Sequence, residues 1–189
     1  MNFLRFLKNR DKTQVFNPDE PRRLNLGCGL MYLENWINVD ISPDVRSDLQ
    51  CDFLSIKEHY DANSIEEIML LHSISYLRLW EARIFFSDMY RLLKNEGKLI
   101  LEFPDIIKCG RILGDTKSEE EYLECVRAIY AFDLDQIKRK EAFTTYAFGW
   151  SAWHISQELK KVGFSKIEIL EPKSHGERGW RDSRVVASK

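Results

Sequence analysis

Glycine and proline are scarce in this sequence, nine and five among 189 residues, and no stretch is rich in both. That scarcity leaves no place for a flexible linker, and no internal repeat is present, so residues 1–189 read as one domain. A chain of this length buries about 70% of the surface its unfolded form exposes and needs no covalent staple. Cysteine is sparse and scattered: Cys28, Cys51, Cys109 and Cys125 form no Cys-x-x-Cys pair and have no histidine at zinc-ligand spacing. Free thiols in a reducing cytoplasm and the absence of a bound metal are therefore expected. No run approaches the ~20 apolar residues that a membrane span requires. The formal charge of -2 offers no general attraction to nucleic acid. Residues 1–21 read as an N-terminal extension whose apolar stretch is too short for a secretory signal. It is either a helix docked on its own domain or a short amphipathic helix in weak peripheral contact with anionic lipid.

What is present is a succession of short apolar runs separated by helical periodicity. Arg22-Arg23-Leu24-Asn25-Leu26 leads into Gly27-Cys28-Gly29, a strand ending in a tight turn. Trp36-Ile37-Asn38-Val39-Asp40 is a second strand closed by an acid, Ile65 to Leu71 a third, and Lys98 to Phe103 a fourth, stopped by Pro104. Trp80, Ile84, Phe85, Met89, Leu92 and Leu93 make a helical stripe, with Gly97 expected to end that helix. Ser118 with Glu121 is a capping-box pattern opening a helix with Tyr122, Val126, Ile129 and Tyr130 on one side. Ser151 is expected to cap another, with Trp153, Ile155, Leu159 and Val162 inward and Gly163 at its end. Lys166 to Leu170 and Arg184 to Ala187 are too close for a parallel crossover, so they pair antiparallel. The expected fold is α/β, a Rossmann-like three-layer sandwich on a mostly parallel sheet with a C-terminal antiparallel hairpin.

The chemistry-bearing signal is the strand, the Gly-x-Gly turn, the second strand and its terminal acid. Open α/β sheets bind nucleotides beyond the carboxyl ends of their strands, and glycine there tolerates positive φ and lets backbone approach a ligand. Asp40 is placed to accept both hydroxyls of a ribose. A dinucleotide is disfavoured, because its fingerprint needs a third glycine where Tyr32 stands and an acid about 20 residues on.

The block Leu24-Asn25-Leu26-Gly27-Cys28-Gly29, followed by Trp36 to Ile41, resembles the class I S-adenosylmethionine-dependent methyltransferases. The likeness extends through Asp48 to Phe53, Tyr90 to Lys98, Phe103-Pro104-Asp105, Leu159 to Phe164 and Arg181 to Val185. It is nearest to the small bacterial enzymes associated with surface-polysaccharide and sugar biosynthesis. The resemblance implies S-adenosyl-L-methionine as cofactor, with Leu26, Gly27, Cys28 and Gly29 against its methionine part. It implies Asp40 on the ribose, Ile41 beside the adenine, Asp52 on the adenine amino group and the Phe53 backbone on the ring. Leu71 and His72 would face the sulfonium and its methyl. Related enzymes often carry a second histidine shortly after, and Tyr76 stands there instead.

A methyl acceptor that is an alcohol must lose its proton, and histidine suits that task. His72 and His154 are the candidate catalytic residues, with His175 and Asp105 behind them. The long stretch 106–150 is expected to be a lid insertion over the acceptor site. Tyr122, Tyr130, Phe132, Phe143 and Phe148 serve chiefly as its core, and Tyr146 and Trp150 as pocket residues. Arg181-Asp182 is either an anion-binding pair or a structural ion pair. The expected reaction moves a methyl group to a small-molecule acceptor, a hydroxyl of a nucleotide-linked or lipid-linked sugar. N- or C-methylation of a small metabolite, or a non-catalytic cofactor-binding adaptor, are the alternatives.

Overall fold

The computed structural model describes residues 22–131, 145–174 and 176–189, without the side chains of residues 177 and 178. The expectations for the extension 1–21 and for Phe132, Phe143 and His175 lie outside the described residues. Among the described residues no helix is long and apolar enough to cross a membrane.

A seven-stranded sheet forms the centre. Its strands are β1 (Arg23–Leu26), β2 (Ile37–Asp40), β3 (Leu49–Gln50), β4 (Ile65–Leu71), β5 (Leu93–Pro104), β6 (Lys166–Leu170) and β7 (Asp182–Ser188). They lie in the order β3-β2-β1-β4-β5-β7-β6. The first five pair in parallel, and β7 runs antiparallel between β5 and β6, with Leu101 opposite Val185 and Ile167 opposite Ala187. The expected antiparallel pair at the C-terminus is present. The direction of the strand order reverses between β1 and β4, so a crevice opens beyond Leu26 and Leu71.

The helices are α1 (Leu79–Leu92), α2 (Ile106–Asp115), α3 (Glu119–Tyr130) and α4 (Ala152–Val162). Alternate strand residues Leu24, Leu26, Val39, Ile68, Leu70, Leu99, Leu101, Phe103 and Val185 are buried in one cluster with Phe85, Phe86 and Met89 of α1 and Ile155 and Leu159 of α4. Each such side chain contributes about 1.5–3 kcal/mol by leaving water. A separate small core of Cys109, Cys125 and Ala128 joins α2 to α3.

Several expectations from periodicity are corrected. Trp80 and Ile84 of α1 and Trp153 of α4 are more than half exposed or nearly so; Ala82, Phe86 and Ala152 are buried in their stead. On α3 the capping Ser118 is as expected, its hydroxyl accepting from the Glu121 N–H, but Tyr122 and Tyr130 face out and Cys125 and Ala128 face in. Gly97 does not end a helix. Helix α1 stops at Leu92, and Gly97 lies inside β5 where an added Cβ would come within 2.8 Å of the Lys94 carbonyl and 3.2 Å of those of Ile65 and Glu66. Its role is close backbone approach at the bulge in the β4–β5 pairing.

Glu158 ties α4 to α1. Its carboxylate accepts from Arg83 Nε at 2.7 Å and from Lys161 at 2.6 Å. The Arg83 hydrogen bond, helped by Lys161, outweighs the upward push of burial and holds the Glu158 carboxyl at about 2. A folded-state value below the unfolded one stabilises at pH above the ordinary glutamate range and is lost as pH falls through the folded value. Glu158→Gln is therefore expected to melt several degrees lower than the parent at pH 7. The gap should close between about pH 4.5 and 2, as thermal melts across that range will read.

Candidate active site

The connection from β1 to β2 contains no helix, and its path is fixed by a buried polar network. Asn25 Nδ2 donates to the Met31 carbonyl at 2.8 Å and to Asn38 Oδ1 at 3.0 Å. Asn38 in turn donates to the Leu33 carbonyl and to Asp48 Oδ2, both at 2.9 Å, and accepts from the Leu33 N–H. Burial alone would raise Asp48, but hydrogen bonds from the Asn38 backbone and side chain and from Tyr32 hold its carboxyl below the usual range. Arg46 covers the Tyr32 ring at 3.7 Å. Asn25, Asn38 and Asp48 thus do the work that a first helix would otherwise do, and nothing in the chemical signal of the sequence singled them out.

Within that frame the turn after β1 closes on the end of β2. The Gly27 and Cys28 N–H groups both donate to the Val39 carbonyl, at 2.8 and 3.0 Å. The Gly29 N–H donates to Asp40 Oδ2 at 2.8 Å, and the Ser42 N–H to Asp40 Oδ1 at 2.9 Å. Gly27 and Gly29 have φ of 65° and 51°, in the left-handed region where a side chain costs roughly 1 kcal/mol or more. At Gly27 a Cβ would also meet Ser73 Oγ at 2.4 Å, so only glycine fits there. Burial, with Asp40 beside it, pushes the Cys28 thiol up and keeps it neutral.

The opposite wall follows β4. His72 has φ 59°, an outlier for a residue other than glycine, and its N–H donates to the Glu102 carbonyl at 2.7 Å. Its Nε2 lies 2.9 Å from Ser174 Oγ and 3.9 Å from Asp182 Oδ2. Glu102 is fully buried and accepts from the Ser174 hydroxyl, the Lys173 and Ser174 N–H groups at 3.0 and 2.7 Å, and Arg184 Nη1 at 2.8 Å. Burial works against that charge, yet these four donors together hold the carboxyl below its ordinary value. An ionised Glu102 takes the only proton of the Ser174 hydroxyl, so Ser174 Oγ accepts from His72 Nε2–H. In the neutral ring this is the Nε2–H tautomer, with Nδ1 the acceptor nitrogen.

Both walls line one cavity of about 640 Å³, within the range of small-molecule sites. Gly27, Cys28, Gly29, Asp40, Ile41, Phe53, Leu71 and His72 all line it, together with Tyr146. Four expected positions are not there. Leu26 points into the main core. Asp52 is exposed and caps the turn Phe53–Glu58, accepting from the Leu54 N–H at 2.9 Å, so Phe53 rather than Asp52 reaches the cavity. Trp150 is fully buried between Phe86 and Phe148. His154, offered as a catalytic residue, is corrected: it sits in the first turn of α4, against Phe148 and Trp150 and 3.7 Å from Glu158, away from the cavity. Asp105 is also excluded as a base. Its buried carboxylate is fully engaged by the Ile107, Lys108 and Ala152 N–H groups and the Ser183 hydroxyl.

The cavity also takes in Arg127 and Ala128, which the sequence did not single out, and Tyr76 and Arg181, which it named without placing them in a pocket. Tyr76 lies edge-on to Tyr146 with ring centroids 4.8 Å apart. Arg127 and Ala128 reach the cavity from α3, and Arg181 from the turn Gly176–Arg181 before β7. Their one sequence signal was the Arg181-Asp182 pair, which alone does not separate a ligand from a structural role.

No protein-family model matches the chain, and no curated protein matches it in sequence. Solved structures do match in three dimensions. A SAM-dependent methyltransferase of Archaeoglobus fulgidus superposes with a TM-score of 0.61 at 14% identity, covering 91% of this chain and 87% of that one. A SAM-dependent methyltransferase of Thermotoga maritima, for which histamine N-methylation is the suggested activity, gives 0.56 at 15%, over 90% and 83%. Phosphoethanolamine N-methyltransferase 2 of Haemonchus contortus, in complex with S-adenosyl-L-methionine, gives 0.54 at 15%, over 89% of this chain and 48% of that one. At these identities the likeness is one of fold: the chain has the Rossmann-like fold of these methyltransferases.

Proposed function

We propose that this protein is an S-adenosylmethionine-dependent methyltransferase acting on a small acceptor. The observation that carries the reading is the contact between the glycine turn and Asp40, which opens on a single cavity at the point where strand order reverses. The residues fit the cofactor. Gly27 and Gly29 bare main-chain atoms for its methionine part, Asp40 retains lone pairs for a ribose diol, and Ile41 and Phe53 offer apolar surface to the adenine. When bound, the cofactor supplies an electrophilic methyl group on a sulfonium.

The chain's own part is to hold the acceptor and to take its proton. Fixing two reactants in register is the largest available contribution, because it removes the entropy of encounter. Leu71, His72 and Ser73 form the wall where the two ligands meet, and α3, within the insertion 106–150, borders the acceptor end through Arg127 and Ala128 as part of a lid. His72, with Nδ1 as its acceptor nitrogen, is the general base for an alcohol. The acceptor is a hydroxyl of a nucleotide-linked or lipid-linked sugar. Support comes from the resemblance in the sequence and from the Tyr76–Tyr146 pair, whose faces suit a sugar ring. The N-methyltransferases among the fold neighbours favour the second reading, transfer to nitrogen of a small metabolite.

Calorimetry provides the test. S-adenosylhomocysteine is expected to bind the full chain with heat that saturates at one equivalent, and a nicotinamide nucleotide to give none. The reverse preference would remove methyl transfer from consideration. Labelled-methyl transfer onto sugar nucleotides, run beside amine metabolites, then separates the two acceptor readings.

A further inference from the structure

The acceptor end of the cavity has an electrostatic feature that a sugar hydroxyl alone does not call for. Two arginines line it, Arg127 from α3 and Arg181 from the turn ahead of β7. Arg181 is held in place by its backbone: its carbonyl accepts from the Asp105 N–H at 2.9 Å and from the Cys109 thiol. The side chain is 11% exposed, and its contacts with Glu124 and Asp182 are both 3.9 Å, too long for hydrogen bonds. Its Nε–H is completely buried and has no hydrogen-bond partner. Arg127 gives one hydrogen bond, from Nη1 to Glu124 Oε1 at 2.8 Å, and is about one third exposed.

A guanidinium carries five N–H donors in a planar fork, and leaving them unmet out of water is costly. Glu124 and Asp182 offset the charge of Arg181 at a distance without hydrogen-bonding it, and because Nε is enclosed by protein, a ligand in the cavity can meet only the Nη groups. The group that answers them is planar or tetrahedral, bears at least two oxygens and is negatively charged. An oxyanion meets a guanidinium fork bidentately, with each bond about twice as strong as a neutral one. The position is informative as well. Asp182 turns one oxygen toward Arg181 and the other toward His72, each at 3.9 Å, so the two cationic or basic groups flank a single carboxylate. An acceptor anchored on Arg181 therefore presents a group only a few bonds from its oxyanion to the His72 side of the cavity.

We infer that Arg127 and Arg181 form an oxyanion subsite, and that the methyl acceptor bears a phosphate or carboxylate group. This rests on the methyltransferase reading in that the remaining half of the cavity is given to the methyl donor. The glycine turn and Asp40 take no part in the oxyanion subsite.

Titration of inorganic phosphate, of acetate and of neutral methyl glucoside into the full chain tests it, with and without S-adenosylhomocysteine. At least one oxyanion is expected to bind saturably, with an affinity that falls at least tenfold in Arg181→Gln and in Arg127→Gln. Affinity for S-adenosylhomocysteine should stay within about twofold. Preference between phosphate and acetate assigns the oxyanion as ester or carboxylate. Oxyanion binding that is absent, matched by methyl glucoside, or unchanged in both variants overturns the subsite. Because Arg181 is buried, a melt accompanies each variant; should Arg181→Gln fail to fold, Arg127→Gln decides. Failure of S-adenosylhomocysteine to bind alongside intact oxyanion binding would sink the cofactor reading and leave the subsite standing.

Discussion

Asp40→Ala is expected to weaken S-adenosylhomocysteine binding by about 100-fold, the value of roughly 3 kcal/mol of charge-assisted hydrogen bonding. Two effects add. The ribose diol loses its acceptor, and the Gly29 and Ser42 N–H groups lose the carboxylate oxygens that now hold the two sides of the turn together at 2.8 and 2.9 Å. Asp40→Asn separates them, since the amide keeps one acceptor oxygen and the shape but not the charge, and should fall between parent and alanine. Calorimetry with each variant reads the affinities, and thermal melts show that the fold persists. If Asp40→Ala binds S-adenosylhomocysteine as tightly as the parent does, the ribose is held elsewhere and the proposed orientation of the cofactor is wrong.

The grouping of residues proposed here to hold the cofactor could be read from the sequence because its parts are near neighbours in the chain. Gly27, Gly29 and Asp40 lie on one strand–turn–strand unit, and pairing β1 beside β2 brings them together. Even so, the network of Asn25, Asn38 and Asp48 that shapes the turn went unseen, because buried polar pairs carry no periodic signal. The acceptor half was barely legible. Tyr76, Arg127 and Arg181 come from three separate segments that meet only once the sheet order is known. His154 and Trp150 show the converse error: both have suitable chemistry, but Trp150 is enclosed between Phe86 and Phe148 and His154 lies against the Phe148 and Trp150 rings and near Glu158, so neither lines the cavity. Strands were read more reliably than helix faces. A run such as Leu99 to Phe103 is buried almost whatever covers it, whereas Trp80 and Trp153 fit the apolar stripes of α1 and α4 and still face outward. Gly97 was misread for a related reason, since a glycine needed for close strand approach looks the same in sequence as one that stops a helix.

His72→Ala is expected to lower turnover by about 10²–10⁴-fold, the usual contribution of a positioned general base, while S-adenosylhomocysteine affinity stays within about threefold. The asymmetry follows from where the ring is held. Its Nε2 is engaged by Ser174 Oγ, which Glu102 orients from its buried position, so the imidazole is held at the wall of the cavity whether or not the cofactor is bound. The left-handed backbone at His72 costs of the order of 1–3 kcal/mol and places the side chain at the strand end. Alanine would relieve little of that strain while deleting the base. Ser174→Ala gives a finer reading: it keeps the imidazole but removes the hydrogen bond to its Nε2, and should cost about tenfold in turnover with no change in cofactor affinity. A base also leaves its mark on the pH profile, whose acid limb should be present in the parent and in Ser174→Ala but missing from the residual activity of His72→Ala. Equal losses in turnover and cofactor affinity in His72→Ala would make this residue part of the binding wall, and an unaltered acid limb would assign the proton transfer to another group.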